Sequence, residues 1–454
     1  MRLFVKVLVA NRGEIAVRVI RTCRRLGIPT VAVYSRADEH TLPVRLADEA
    51  VCVGPADARE SYLHIPNIIG AALRTGADAI HPGYGFLSED PYFAEICADH
   101  GITFIGPSAE VMEVLGDKSS ARRVMGDNGL PLLPGTVEPL GSYEQAQRVA
   151  EDIGYPVVLK AVAGGGGRGI TVVHRPVDLF EAFHTTRANA QTLFKDPSLY
   201  MEKYLEQARH IEVQVLCDSH GRGVHLGERD CSIQRRNQKL LEEAPSPAVD
   251  ENLRQELGAA AVRGALEAGY QGVGTMEFLL DGQNRFWFME VNTRIQVEHP
   301  VTEAITGIDL VAEQIHSAAG APLSLRQEDV RPFGHAVECR INAEDPARGF
   351  VPTPGTLHTY HAPGGPWVRV DTHCHTGATV TPHYDSLVAK LVCWGPDRAS
   401  ALDRTSQALR EFELDGNGMR STIGLQRAIV EDAVVRDGGA TTGFLRARMP
   451  EFAG

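Results

Sequence analysis

The sequence predicts an α/β and α+β multidomain chain: an N-terminal doubly wound parallel-sheet domain, a central α+β unit and a C-terminal β-rich domain. Three observations carry that reading. Residues 1–115 alternate short apolar runs with helical stripes, the pattern of strands wound by crossover helices. Beyond them hairpin-like pairs of strands take over, with a glycine run between two of them. And 454 residues exceed what one ordinary core organises, so two to four domains are expected.

Residues 5–10 read as a buried first strand and not as a secretory leader, because Lys6 interrupts the apolar run and Asn11-Arg12-Gly13-Glu14 ends it. Residues 14–26 place Ile15, Val19, Cys23 and Leu26 on one helical stripe, stopped by Gly27. Strands follow at 30–34, 50–53, 77–80 and 103–105, with helices between. The turn after the first strand holds one glycine, Gly13, where a dinucleotide fingerprint needs three, which argues against an oxidoreductase. Residues 131–139 carry three prolines and read as a linker. A helix near 142–153, strands at 155–162 and 170–173, and the glycines 164–167 between them make a small unit ending near Leu205. Hairpins are expected at 210–228 and 274–291, with a helix at 252–268 between them, and a helix at 397–411 closes the last unit. The boundaries expected are 1–115, 116–330 with a mobile lid at about 132–205, and 331–448.

The formal net charge of −13 disfavours nucleic acid as a partner, so an anionic substrate needs a local cluster of Lys and Arg. Eight cysteines without a CxxC pair read as reduced thiols in a cytoplasmic protein. His373-Cys374-His375, near His383, invites a zinc reading, but successive strand residues diverge, and an ordinary strand is preferred. No apolar run reaches the roughly 18 residues of a membrane span, so a soluble protein is expected.

Three segments carry chemistry. The glycine run can bring backbone N–H groups against phosphate oxygens, but it is not a Walker loop, since GxxxxGK[ST] is absent. Lys160, four residues earlier on a buried-looking strand, needs a counter-charge, which an anionic ligand would supply. In the second hairpin, Asp281-Gly282-Gln283-Asn284 is read as a two-residue turn that pairs Leu280 with Arg285. Glu277 then faces Phe288, Thr275 faces Glu290, and the two glutamates are diagonal neighbours about 7–8 Å apart at the backbone. With Asn292 and Arg294 continuing that face, the set suits Mg²⁺ and nucleotide phosphates. Residues 228–239 form the densest basic cluster; by itself it reads as a solvated charge run.

Together these segments resemble the ATP-grasp superfamily and, within it, biotin carboxylase. The matching strings are Ala10-Asn-Arg-Gly-Glu-Ile-Ala16, His81-Pro-Gly-Tyr-Gly-Phe-Leu-Ser-Glu89, Gly116-Asp-Lys118, the glycine run, Met201-Glu-Lys-Tyr-Leu205, Arg209-His-Ile-Glu212, residues 228–243, Glu290-Val-Asn-Thr-Arg-Ile-Gln-Val-Glu-His-Pro300 and residues 334–345. The resemblance implies an ATP-grasp fold and ATP held by Lys118, Lys160, Gly166, Gly167, Glu202, Lys203, Leu205, His210, Gln234, Asn237 and Glu277. It implies Mg²⁺ (or Mn²⁺) on Glu277, Glu290 and Asn292. Lys239, Arg294 and the backbone at Val297 would hold bicarbonate, and Arg340 would sit at the biotin ring. Arg294, Glu298 and Lys239 would be the catalytic residues, with Glu298 the base that activates bicarbonate.

The implied reaction makes carboxyphosphate from ATP and bicarbonate, then carboxylates biotin on a separate biotin carboxyl carrier protein, the first half-reaction of an acyl-CoA carboxylase supplying malonyl-CoA for fatty acid synthesis. No Ala-Met-Lys-Met biotinylation signature occurs, so a free-standing subunit is expected, working with a carrier and carboxyltransferase subunits, as a homodimer. Three departures fall at the nucleotide: Ala163 in place of a first glycine, Asn237 where many relatives have His, and Gly443 where some place a His. Two rival readings fit the sequence less well. An ATP-grasp ligase that carboxylates an aminoimidazole ribonucleotide would not need the 292–299 string. A non-catalytic regulatory subunit would have lost metal or phosphate ligands, and none is lost.

Overall fold

The computed structural model describes residues 3–163 and 169–452; Gly166 and Gly167 lie outside the described residues. Strands β1 (Val7–Val9), β2 (Thr30–Ser35), β3 (Glu49–Gly54), β4 (Ala79–His81) and β5 (Thr103–Phe104) form a parallel sheet in the order β3-β2-β1-β4-β5. Its central strands are apolar on both faces, as helix-covered parallel strands must be. The winding reverses between β1 and β4, which opens a crevice at the strands' carboxyl ends. There Asn11 Nδ2 donates to the carbonyls of Pro82 (2.7 Å) and Tyr84 (2.8 Å), tying the two loops together.

Strands β6 (Val157–Ala161), β7 (Ile170–Val173) and β8 (Leu199–Lys203) make a separate antiparallel sheet, ordered β7-β6-β8. Helix Tyr143–Ile153 packs on it, its first turn capped by Ser142, whose hydroxyl accepts from Gln145 N. The proline-rich stretch is more than a linker. Phe288 N donates to Pro131 O (2.7 Å), while Lys203 N bonds Pro134 O and Thr136 N bonds Met201 O (both 2.8 Å). The segment thus edges two sheets at once, a role local composition does not encode.

The main sheet uses β9 (Arg209–Cys217), β10 (Gly223–Arg235), β11 (Gln238–Ala244), β12 (Gly272–Leu280), β13 (Phe286–Asn292) and β14 (His335–Asn342). Beyond β14 come β15 (Glu344–Asp345), β16 (Val351–Pro352), β17 (Gly355–His361), β18 (Val368–Thr372), β19 (Thr379–Val380), β20 (Leu387–Gly395) and β21 (Glu413–Gly416). One eight-stranded sheet, β13-β12-β9-β10-β11-β14-β20-β18, runs through both the central and the C-terminal units. On one face Ile211, Val213, Met276 and Phe278 pack with Leu257 and Ala261 of helix Glu251–Glu267. The other face is polar and faces the site. Among the described residues, no helix is long and apolar enough to cross a membrane.

The β12–β13 register differs from the expected one. Leu280 pairs with Phe286 and Glu277 with Glu290, while Phe288 faces Phe278 and Thr275 faces Asn292. The turn is longer than two residues: Asn284 adopts φ +58°, Asn284 N bonds Asp281 O, and Asp281 N bonds Arg285 O. A register shift between Glu277 and Phe278 then brings the glutamates directly opposite each other.

Candidate active site

The polar face is built in rows of cross-strand partners. Glu290 on β13, Glu277 on β12, Glu212 on β9 and Arg229 on β10 form one row; Asn292, Thr275 and Gln214 form the next. Arg229 is fully buried. It donates to Gln214 Oε1 (2.7 Å), Thr302 Oγ1 (3.0 Å), Thr275 Oγ1 (3.1 Å) and Glu212 Oε2 (3.3 Å), which locks the face. The basic cluster 228–239 is therefore no solvated run: β10 is buried along nearly its whole length. Its turn, Arg236-Asn237, has positive φ at both positions, the geometry of a two-residue hairpin that Asn tolerates well. That puts Asn237 at an exposed tip.

At the start of β11, Lys239 Nζ donates to Glu212 Oε1 (2.9 Å), Glu277 Oε1 (3.0 Å) and Glu298 Oε1 (2.7 Å). Burial favours loss of its proton, but the three carboxylates outweigh it and hold the ammonium's pKa well above its ordinary value. Arg340 Nη2 takes the second oxygen of Glu298 (2.9 Å), and its Nε donates to Glu242 (2.6 Å). Glu298 is fully buried, which alone would raise its pKa; Lys239 and Arg340 reverse this and hold it well below the carboxylate range. Burial pushes Glu242 up to about 7 despite Arg340.

Arg294 divides its guanidinium among three side chains, Nε to Glu89 (2.9 Å), Nη1 to Gln296 Oε1 (3.0 Å) and Nη2 to Asn292 Oδ1 (3.1 Å), with a longer Nη1 bond to the Ile295 carbonyl (3.4 Å). Asn292 Nδ2 in turn reaches Glu277 Oε1 (2.8 Å). Glu89 comes from the loop after β4 and also accepts from Thr293 N (3.1 Å), so the crevice of the parallel sheet braces the site. His210 Nε2 lies 2.9 Å from Glu277 Oε2; burial lowers its pKa, and Glu277 outweighs burial and raises it. Gln234 Nε2 approaches His210 Nδ1 at 3.4 Å and donates to Cys231 O at 3.1 Å.

The remaining expected residues fall in two neighbouring groups. Lys118 Nζ donates to Glu290 Oε2 (2.9 Å). Lys160 finds its counter-charge within the chain: it and Arg122 close on the two oxygens of Glu202. Lys203 Nζ is committed to the carbonyls of Gly154 (3.0 Å) and Tyr155 (2.9 Å), and Leu205 is half-buried just past β8. The carbonyl of Val297 accepts from Lys390 (2.7 Å). Among the described residues, His210, Glu212 and Glu277 gather ligand-type atoms, as do Glu212, Cys231 and Glu298, with the Lys239 ammonium between the two groups. His373-Cys374-His375 forms no such group.

Sequence reading assigned no role to Glu89, Glu212, Arg229 or Glu242. Glu212 carried a signal, since it stands two residues from His210 on one strand and so shares its face. Glu89 closes the matching string 81–89 but carried no geometric signal, because it meets Arg294 across 205 residues.

Comparison with known proteins adds the family. Residues 3–112 match the family model "Biotin carboxylase, N-terminal domain", 117–326 match "Carbamoyl-phosphate synthase L chain, ATP binding domain", and 338–447 match "Biotin carboxylase C-terminal domain". The chain is 53% identical to a biotin carboxylase of Nostoc over 98% of its length and 99% of the relative's. It is 51% identical to biotin carboxylase 1 of Bacillus subtilis, over 97% and 98%. A solved biotin carboxylase domain dimer of Hydrogenobacter thermophilus 2-oxoglutarate carboxylase, in complex with MgADP, ADP and bicarbonate, superposes with TM-score 0.95 at 48% identity, covering 100% of this chain and 99% of that one. Full-length identity and a matching fold, around a buried Lys239–Glu298–Arg340 cluster, place this chain in the biotin carboxylase family.

Proposed function

We propose that the chain carboxylates biotin on a separate carrier protein, using ATP and bicarbonate, as the first half-reaction of an acetyl-CoA or other acyl-CoA carboxylase. The observation that carries this reading is Glu298, a buried ionised carboxylate bonded on one oxygen by Lys239 and on the other by Arg340. With both oxygens engaged it is a weak base. An anion such as bicarbonate that draws Lys239 toward itself loosens that ammonium's bond to Glu298 and raises the basicity of the carboxylate. Proton removal is thereby tied to substrate being in place.

The donor chemistry fits Mg²⁺: Glu277 and Glu290 face each other across two strands, and Asn292 adds an amide, all hard oxygen ligands. Bound there, the ion supplies charge neutralisation for the transferring phosphoryl group. Lys118, Lys160, Glu202, His210 and Gln234 are a set of groups suited to ATP, to which the resemblance adds Gly166, Gly167, Lys203 and Leu205. Arg294 orients bicarbonate with the backbone at Val297, and Arg340 faces biotin. We divide the chain for this work into a bracing unit (1–115), an ATP-binding unit (116–330) whose lid is 132–205, and a C-terminal unit (331–448).

The assay is carboxybiotin formation with ATP, Mg²⁺ and biotin, with and without bicarbonate. ADP and carboxybiotin should appear together and only with bicarbonate; ATP turnover indifferent to bicarbonate would refute the reading. The biotin carboxyl carrier protein and carboxyltransferase subunits are the partners this reaction needs, in the cytoplasm. A homodimer is expected, and light scattering at micromolar concentration checks it by returning twice the 49.3 kDa chain mass.

A further inference from the structure

Residues 293–298 belong to no strand, and helix His299–Thr306 begins only after them. No ladder sets the path of this segment, so side chains must. Two neighbouring strands of the C-terminal unit supply them: Arg340 on β14 and Lys390 on β20 are direct cross-strand partners. Arg340 grips the Glu298 carboxylate at 2.9 Å, and Lys390 grips the preceding carbonyl, Val297 O, at 2.7 Å.

Lys390 is fully buried. Its second partner is Glu14 at 2.9 Å, at the start of helix Gly13–Arg25. Glu338 on β14 and Asp371 on β18 are its further acidic neighbours, and Glu14, Glu338 and Asp371 outweigh the effect of burial to keep the ammonium charged. Glu338 is fully buried with no hydrogen-bond partner on either oxygen, so the pocket holds more acid than one ammonium needs. A lysine present only to neutralise charge would spend its donors on those carboxylates. This one spends a donor on the main chain of the segment next to Glu298.

We propose that Lys390 is a positioning residue of the bicarbonate site: by holding the Val297 carbonyl from behind, it fixes the 297–298 peptide plane and so the placement of both the Val297 backbone and the Glu298 carboxylate. The inference rests on the reading of residues 294–298 as the bicarbonate site. All three units of the chain meet at this one ammonium, through Glu14, Val297 and β20.

The test uses the full chain and steady-state bicarbonate-dependent ATP hydrolysis with biotin, in decarbonated buffer. Lys390→Met alone strands Glu14 in the core and can fail to fold. The double variant Glu14→Gln/Lys390→Met is neutral on both sides and carries the test, with its melting temperature measured alongside. In it KM for bicarbonate should rise at least about tenfold while KM for ATP stays within about threefold, because only bicarbonate depends on the 297–298 plane. Glu14→Gln alone keeps Lys390 on the carbonyl, with Glu338 free to ionise in its place, and should leave both constants within about threefold. The proposal is overturned if the double variant keeps its bicarbonate KM, or if Glu14→Gln matches the double variant. Arg294→Lys, run in parallel, separates the two levels. If it impairs bicarbonate use and the double variant does not, Lys390 has no positioning role and the site stands; if neither variant does, the site itself is misplaced and the inference falls with it.

Discussion

At the scale of single residues, Arg294 shows why its chemistry cannot be exchanged for charge alone. Its nitrogens point at Glu89, from the loop after β4, and at Gln296 and Asn292 on either side of it in its own segment. A lysine offers one ammonium and no planar fork. Arg294→Lys should therefore keep ATP binding, measured by calorimetry, yet lose about a hundredfold in carboxybiotin formation; activity within about threefold of wild type would remove Arg294 from the centre. His81, the last residue of β4, is fully buried, and its Nδ1 accepts from Gly83 N at 3.0 Å, so it must be neutral. Burial pushes its pKa down to about 3. Because that folded value lies below the unfolded one, near 6.5, the unfolded chain takes up the proton first and stability falls as pH drops from about 6.5 toward 3. Between pH 7 and 5 this one group should cost about 2 kcal/mol. His81→Asn keeps an acceptor without the titration, so its unfolding free energy in urea should fall by about that much less over the same interval.

Elements show where the sequence was legible and where it was not. The strands and helices of residues 1–115 follow from apolar periodicity, and all appear within a few residues of their expected places. Glu277, Glu290 and Asn292 were legible as a set because one hairpin carries them; Arg294 lies two residues past the end of β13, not on the strand face expected for it, and joins the set through Asn292. Their mutual register was not, since a positive φ at Asn284 and the shift after Glu277 are backbone choices that composition leaves open. Residues 131–139 were the larger loss: prolines identify a break, but not that the backbone around them would bond Phe288 on one side and Lys203 on the other. Gly135 is the pivot of that arrangement. An added Cβ would lie 2.9 Å from Glu202 Cα, against backbone that cannot move aside, and Glu202 is the residue that holds Lys160. Gly135→Ala should destabilise the chain by about 1–3 kcal/mol. It should also raise KM for ATP while leaving KM for bicarbonate near wild type, a split visible in steady-state kinetics.

The whole molecule is organised by one sheet that ignores the boundary between its units. Leu241, Glu242, Glu243 and Ala244 of β11 pair with Cys339, Glu338, Val337 and Ala336 of β14. Removing everything after residue 330 would turn β11 into an open edge beside the apolar Leu240 and Leu241, and would delete Arg340 and Lys390 together. Residues 1–330 expressed alone should run as aggregate on size exclusion, where the full chain gives a discrete peak. The same seam has an opposite use. Its two sides are joined by main-chain pairing, and the peptide linking them contributes little to the ladder, so a covalent cut near residues 320–326 severs the chain without severing the sheet. Two co-expressed pieces, one ending in that stretch and one beginning there, carry matching edges that identify each other, and neither holds both Glu298 and Arg340. The enzyme is in this sense a lock whose halves can be made apart, and turnover would report that they had met.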